Sequence, residues 1–139
     1  MLEALGERRE IGYCDLVLLD SSAWIELFDA TEQGKQVHRI LSKNDCYSSI
    51  VTLAEVTSWA LRKGINPNPL IDIITKTSSI LDLDDEIVIL AGRLHFERRK
   101  KNKKWGMLDS FILATARTYE LKVLTKDNDF KDILDAEIL

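Results

Sequence analysis

Residues 16–28, LVLLDSSAWIELF, run through four apolar residues and end the run on a carboxylate, Asp20, with two serines directly behind it. Val17 to Leu19 read as a short buried strand. The side-chain oxygens of Asp20, Ser21 and Ser22 suit the unpaired N–H groups at a helix start, and Trp24, Ile25, Leu27 and Phe28 follow at helical spacing. A strand feeds a helix here, and an acid stands at the joint.

The same pattern continues along the chain. Residues 34–43, GKQVHRILSK, bring Val37, Ile40 and Leu41 onto one helical face, and a brief extended piece follows around Cys46 and Tyr47. In SSIVTLAEVTSWALRKG, residues 48–64, Ser48 or Ser49 caps a helix that Gly64 stops. The prolines of INPNP, residues 65–69, break the pattern, because proline fixes its own backbone and disfavours helix just before it. Leu70 to Ile74 resume a helix, and residues 79–83 read as a strand. DDEIVILAGRLHFERRKK, residues 84–101, reads as a long amphipathic helix with acids in its first turn and bases in its last, as the helix dipole favours. Asp109 heads a further helix, DSFILATARTYE. LKVLT, residues 121–125, is a strand running into KDNDF, and AEIL at the end is an edge strand.

Parallel strands need crossover connections, and helices are the usual ones. The expected fold is therefore α/β, a three-layer α/β/α sandwich with a mostly parallel central sheet. Residues 16–139 form one domain in this reading, preceded by an N-terminal extension, residues 1–15. A chain of 139 residues, 45% hydrophobic and 30% charged, has the size and composition for one core. No stretch approaches the roughly 18 apolar residues of a membrane span, and the start, MLEALGERRE, lacks the features of a secretory signal. The expectation is a cytoplasmic protein without a membrane partner.

Several chemistries have no support. Cys14 and Cys46 belong to no ligand-spaced pattern and read as free thiols; His38 and His95 are isolated on predicted helices. Phosphate-cradling glycine loops are missing. The net charge of −4 argues against indiscriminate adhesion to nucleic acid. Between Arg93 and Lys104, however, seven basic residues face one acid, Glu97. That run has two readings, a solvated helix end or a surface for an anionic partner.

The acids carry the sharper signal. Asp20 and Asp127 both fall just beyond predicted strands, where open α/β sheets bind their ligands. Glu55 is the one charged residue between Ser48 and Ala60, and a buried lone carboxylate is costly unless compensated. For Asp109 helix capping is an equal alternative, for Glu55 an outward orientation, and for Asp129 a turn cap before Phe130. If Asp20, Glu55, Asp109 and Asp127 converge, their repulsion asks for a cation, and oxygen ligands without His or Cys select Mg²⁺ or Mn²⁺.

The segments LLDSSAWIELF, TLAEVTSWAL, GMLDSFILATA and VLTKDNDF resemble, in this order and spacing, the four motifs of PIN-domain nucleases, and especially the VapC-like toxin ribonucleases of type II toxin–antitoxin pairs. The resemblance runs from about Leu16 to the C-terminus. It implies a metal-dependent endoribonuclease whose catalytic and metal-binding residues are Asp20, Glu55, Asp109 and Asp127, with Asp129 an additional acid and Ser21, Ser22 and Thr125 in support. It implies an RNA substrate, a homodimer and a small antitoxin partner. On this reading Arg98, Arg99, Lys100, Lys101, Lys103 and Lys104 hold the RNA backbone and Trp105 either stacks on a base or is buried at the sheet edge. The alternatives are a non-catalytic PIN-like module that binds RNA or protein, and a housekeeping RNA-processing nuclease.

Overall fold

The computed structural model describes residues 11–12 and 15–139. Its elements in chain order are β1 (Leu16–Leu19), α1 (Ser21–Phe28), α2 (Glu32–Lys43), β2 (Asp45–Ser49), α3 (Ile50–Arg62), α4 (Asn68–Thr77), β3 (Ser79–Leu81), α5 (Asp85–Arg99), α6 (Met107–Tyr119), β4 (Lys122–Thr125), a 3₁₀ turn (Asn128–Phe130) and β5 (Ala136–Ile138). The five strands form one parallel sheet in the order β3-β2-β1-β4-β5. This is the expected three-layer α/β/α sandwich. The expected N-terminal extension, residues 1–15, and Cys14 with it, lies almost wholly outside the described residues.

Alternate side chains of β1 feed opposite cores, as the twofold period of a strand requires. Val17 and Leu19 point to one face, among Trp24 of α1, Val37 of α2, Val56 of α3 and Ile74 of α4. Leu18 points to the other, among Ile112 and Leu113 of α6, Trp105 and Phe130. Buried tryptophans need a partner for the indole N–H. Trp24 donates to Ser48 Oγ at 3.0 Å, and Ser49 is left to cap α3 by accepting from Val51 N–H.

Two expectations are corrected. The strand at residues 79–83 is shorter, because Leu83 turns away to pack beside Ile87 and Ala91. Helix α5 does not have one apolar and one polar face. Ile87 and Ala91 are buried against Ala114 of α6, yet Val88, Ile89 and Phe96 are exposed at 43%, 59% and 66%.

The sheet order sets the location of the site. From β1 the chain crosses to β2 on one side, while β4 pairs on the other. The carboxyl ends of β1 and β4 thus flank the point where strand order reverses, the usual ligand crevice of such sheets. Leu19 lies opposite Leu124, and the Asp20 N–H donates to the Leu124 carbonyl at 3.0 Å. The residues beyond these two ends, Asp20 and Asp127, meet in that crevice.

Candidate active site

Asp20 is held on all sides. It is the N-cap of α1, with Oδ1 accepting from Ser21 N–H at 2.7 Å. Its Oδ2 accepts from Thr125 Oγ1 at 2.9 Å and Ser22 Oγ at 3.2 Å. Burial pushes its carboxyl above the ordinary range; hydrogen bonds from Thr125, Ser21 and Ser22 oppose the shift, and the Asp127 charge adds to it. Asp20 therefore caps α1 and lies beside Asp127 at once.

Thr125 and Ser22 join the two strand ends. Their hydroxyls lie 3.1 Å apart, Ser22 Oγ accepts from Lys126 N–H, and Thr125 Oγ1 accepts from Asp127 N–H at 3.0 Å. Asp127 in turn caps the 3₁₀ turn through Asp129 N–H, at 2.8 Å. Asp129 is held from the other side, its Oδ1 accepting from Asn102 Nδ2 and its carbonyl from Arg98.

Glu55 does not face away from the other acids. Burial pushes its carboxyl up to about 7, and the charges of Asp20 and Asp109 add to the shift. A hydrogen bond from Ser21 opposes the shift, and among the described residues its Oε1 is buried without a hydrogen-bond partner. Asp109 caps α6 through Gly106 N–H at 3.0 Å. Its carboxyl is nonetheless pushed up to about 6, by burial first and then by Asp127, Asp20 and Asp129. Five acids from four separate segments thus share one electrostatic field.

A hard divalent cation suits this donor set, since all the donors are carboxylate oxygens and an orphaned Glu55 oxygen faces the other acids' charge. Among the described residues no three acidic, histidine or cysteine side chains close up as a finished coordination sphere. Mg²⁺ asks for less, because it commonly keeps several waters and takes one or two carboxylates.

The basic run divides into two parts. Arg98 is committed internally: its guanidinium pairs with Asp132 at 2.8 Å and lies 4.0 Å from the centre of the Trp105 ring. Trp105 is 0% exposed, packs on Phe130 and donates to Ser110 Oγ at 2.7 Å, so it presents no face to a base. Burial, the other reading of Trp105, is correct. Lys100 pairs with Glu97, and Arg99 is exposed on the far end of α5. Lys101, Lys103 and Lys104, by contrast, line a groove of about 810 Å³ that is closed on its other side by Asn128, Asp129 and Lys131.

Sequence reasoning missed Asn102 and Lys131. Asn102 was legible only as the single uncharged residue inside KKNKK. Glu26 and Lys126 were missed too: they pair at 3.0 Å beside the Ser22 anchor, an apolar helix face offering no reason to expect a buried carboxylate there. Burial opposes ionisation of Glu26, but hydrogen bonds from Lys126 and Thr31 outweigh it and hold its carboxyl below the ordinary range.

Comparison with known proteins yields a consistent picture. A family model described as PIN domain matches residues 17–135. Ribonuclease VapC5 of Mycobacterium tuberculosis is 30% identical over 122 residues, covering 81% of this chain and 84% of that protein. A toxin-antitoxin complex from Klebsiella pneumoniae contains a chain that superposes with a TM-score of 0.69 at 22% identity, over 87% of this chain and 95% of that one. VapC20 of Mycobacterium tuberculosis, a sarcin-ricin loop cleaving toxin, superposes with a TM-score of 0.67 at 16% identity, over 83% of this chain and 92% of that one. At such identities the two structures speak for the fold alone.

Proposed function

The chain belongs to the PIN domain family, and from that premise we propose that it is an endoribonuclease, the toxin of a toxin–antitoxin pair, which hydrolyses RNA phosphodiester bonds in the cytoplasm. The observation that carries this reading is the gathering of Asp20, Glu55, Asp109 and Asp127 around the carboxyl ends of β1 and β4. These four would hold Mg²⁺ or Mn²⁺, with Asp129 next to them. Such an ion, when bound, lowers the pKa of a water and offsets charge on the phosphoryl oxygens.

The chain's own residues contribute position and charge. Ser22 and Thr125 fix the Asp20 carboxylate from its Oδ2 side, so that its orientation is set before any ligand arrives. Glu55, whose carboxyl is pushed up to about 7 by burial and by the charges of Asp20 and Asp109, would give up its proton when a cation is held there. Lys101, Lys103, Lys104 and Lys131 line the groove beside Asp129, where they would hold the RNA backbone as point charges. Asn102 keeps Asp129 at the groove's edge. A small antitoxin covering this groove and a homodimer complete the proposal.

The deciding experiment is cleavage of defined RNAs by purified protein with Mg²⁺, with Mn²⁺ and with a chelator, using Asp20→Asn as the control. Metal-dependent cleavage that Asp20→Asn abolishes is the expected result. Cleavage retained by Asp20→Asn would remove the acidic site from the reaction, and RNA binding without cleavage under any condition would make the chain a binding module.

A further inference from the structure

Thr52 lies in the first turn of α3 and is 0% exposed, yet its hydroxyl has no hydrogen-bond partner among the described residues. A threonine within a helix can give its hydroxyl to the carbonyl one turn back. Thr57, Thr77 and Thr115 do so here, to Leu53, Ile73 and Phe111 at 2.7, 2.6 and 2.7 Å. For Thr52 the residue four positions back is Ser48, which belongs to β2 and not to the helix. A buried hydroxyl left unpaired costs free energy, and valine would fill the same volume without that cost. Packing alone does not account for a threonine at this position.

Among the described residues, the one other buried side-chain oxygen without a partner is Glu55 Oε1. Residues three apart on a helix are neighbours on its surface, and helical side chains lean toward the N-terminus, so Glu55 leans toward the turn that holds Thr52. An unused donor and an unused acceptor thus stand one helical turn apart. We propose that Thr52 is a positioning residue for the cation site: its hydroxyl donates to the Glu55 carboxylate when an ion is held, which fixes how that carboxylate faces the ion. This role rests on the reading of the clustered acids as a cation site. A hydrogen bond to a charged acceptor is roughly twice as strong as a neutral one, and a group that orients a metal ligand is commonly worth about 10–100-fold in metal affinity. Without an ion the hydroxyl stays unpaired, so its removal acts differently on the two states. A residue kept only for packing would affect both alike.

Mn²⁺ binding by the full chain, followed by the electron paramagnetic resonance signal of the free ion, is read beside urea unfolding in the presence of a chelator. Thr52→Val should bind Mn²⁺ at least about tenfold more weakly than the native protein. Its unfolding midpoint in chelator should stay at or above the native one, because the lost hydroxyl had no partner there. Thr52→Ser keeps the hydroxyl and should bind Mn²⁺ within a few-fold of native. Equal binding by Thr52→Val and the native protein would overturn the role of Thr52 and leave the cation site standing. Equal weakening in Thr52→Ser and Thr52→Val, or a Thr52→Val midpoint that falls along with the affinity, would make the position one of packing. A native protein that binds no Mn²⁺, or one whose binding survives Asp20→Asn unchanged, would remove the cation site itself and this role with it.

Discussion

Thr125 Oγ1 donates to Asp20 Oδ2 at 2.9 Å, a bond between residues 105 positions apart that joins the ends of β4 and β1. The same hydroxyl oxygen accepts from Asp127 N–H. One side chain therefore positions two of the proposed site acids. Thr125→Val keeps the shape and removes both roles. It should cost about 1–3 kcal/mol in metal-free denaturant unfolding, since a buried carboxylate loses a donor. Cleavage should fall about 10–100-fold, as when a residue supporting a metal ligand is removed. Thr125→Ser keeps the hydroxyl and should remain within a few-fold of native on the order-of-magnitude scale of such support. Equal loss in both variants would mean that packing, not the hydrogen bond, matters at this position.

Stability should depend on pH with a definite sign. Glu55 titrates at about 7 in the fold against an ordinary 4.5, and Asp109 at about 6 against 3.8. Through that window the folded chain holds protons that the unfolded chain has released. The cost of the clustered charges is thus absent below the unfolded values and complete above the folded ones. Metal-free protein should lose melting temperature as pH rises from about 4 to about 8, and Glu55→Gln should flatten the decline. Added Mg²⁺ should stabilise the native protein more at the alkaline end, where the carboxylates are ionised. A melting temperature that rises across the same window would contradict the assigned shifts.

The junction of β1 and α1 was legible in the sequence because one short stretch carried a buried strand, a cap and an acid together. The other acids were legible as exceptions, Glu55 being a charge in an apolar helix and Asp127 a carboxylate after a strand. Trp105 was not, since a tryptophan beside lysines has the same sequence signature whether it stacks on a base or fills a core. Only the indole bond to Ser110 and the packing of Phe130 decide between them. Helix α5 misled for a related reason: periodicity reports apolar positions but not how many neighbours exist to cover them. The strand order was equally hidden, because it depends on contacts between residues far apart in the chain.

Gly34 carries a constraint that no local pattern announces. It sits in the first turn of α2, where a glycine ordinarily weakens a helix. A Cβ there would run into the Glu26 carbonyl and the Cα of Leu27, because α1 and α2 touch backbone to backbone at this point. Neither neighbour is a flexible side-chain tip that could yield. Gly34→Ala should therefore destabilise by about 1–3 kcal/mol in spite of alanine's better helix propensity. Urea unfolding measures it, and an unchanged or raised midpoint would show that α1 and α2 can separate without cost.

The lysine groove makes a prediction that separates electrostatic contact from mere proximity. Each backbone phosphate neutralised on a single strand contributes about 0.7 to the slope of log affinity against log salt. Lys101, Lys103, Lys104 and Lys131 line the groove, whereas Lys100 is engaged by Glu97 and lies 4.5 Å from the centre of the Phe96 ring. Replacing the four groove lysines by alanine should weaken binding of single-stranded RNA and flatten the slope by as much as about 2.8, if each contacts one phosphate. Lys100→Ala should leave the slope unchanged. Measuring with Asp20→Asn keeps the RNA intact during titration. The contrast between the two sets is what matters: if Lys100→Ala flattens the slope as much as a groove lysine does, the RNA follows the outside of α5 rather than the groove beside Asp129.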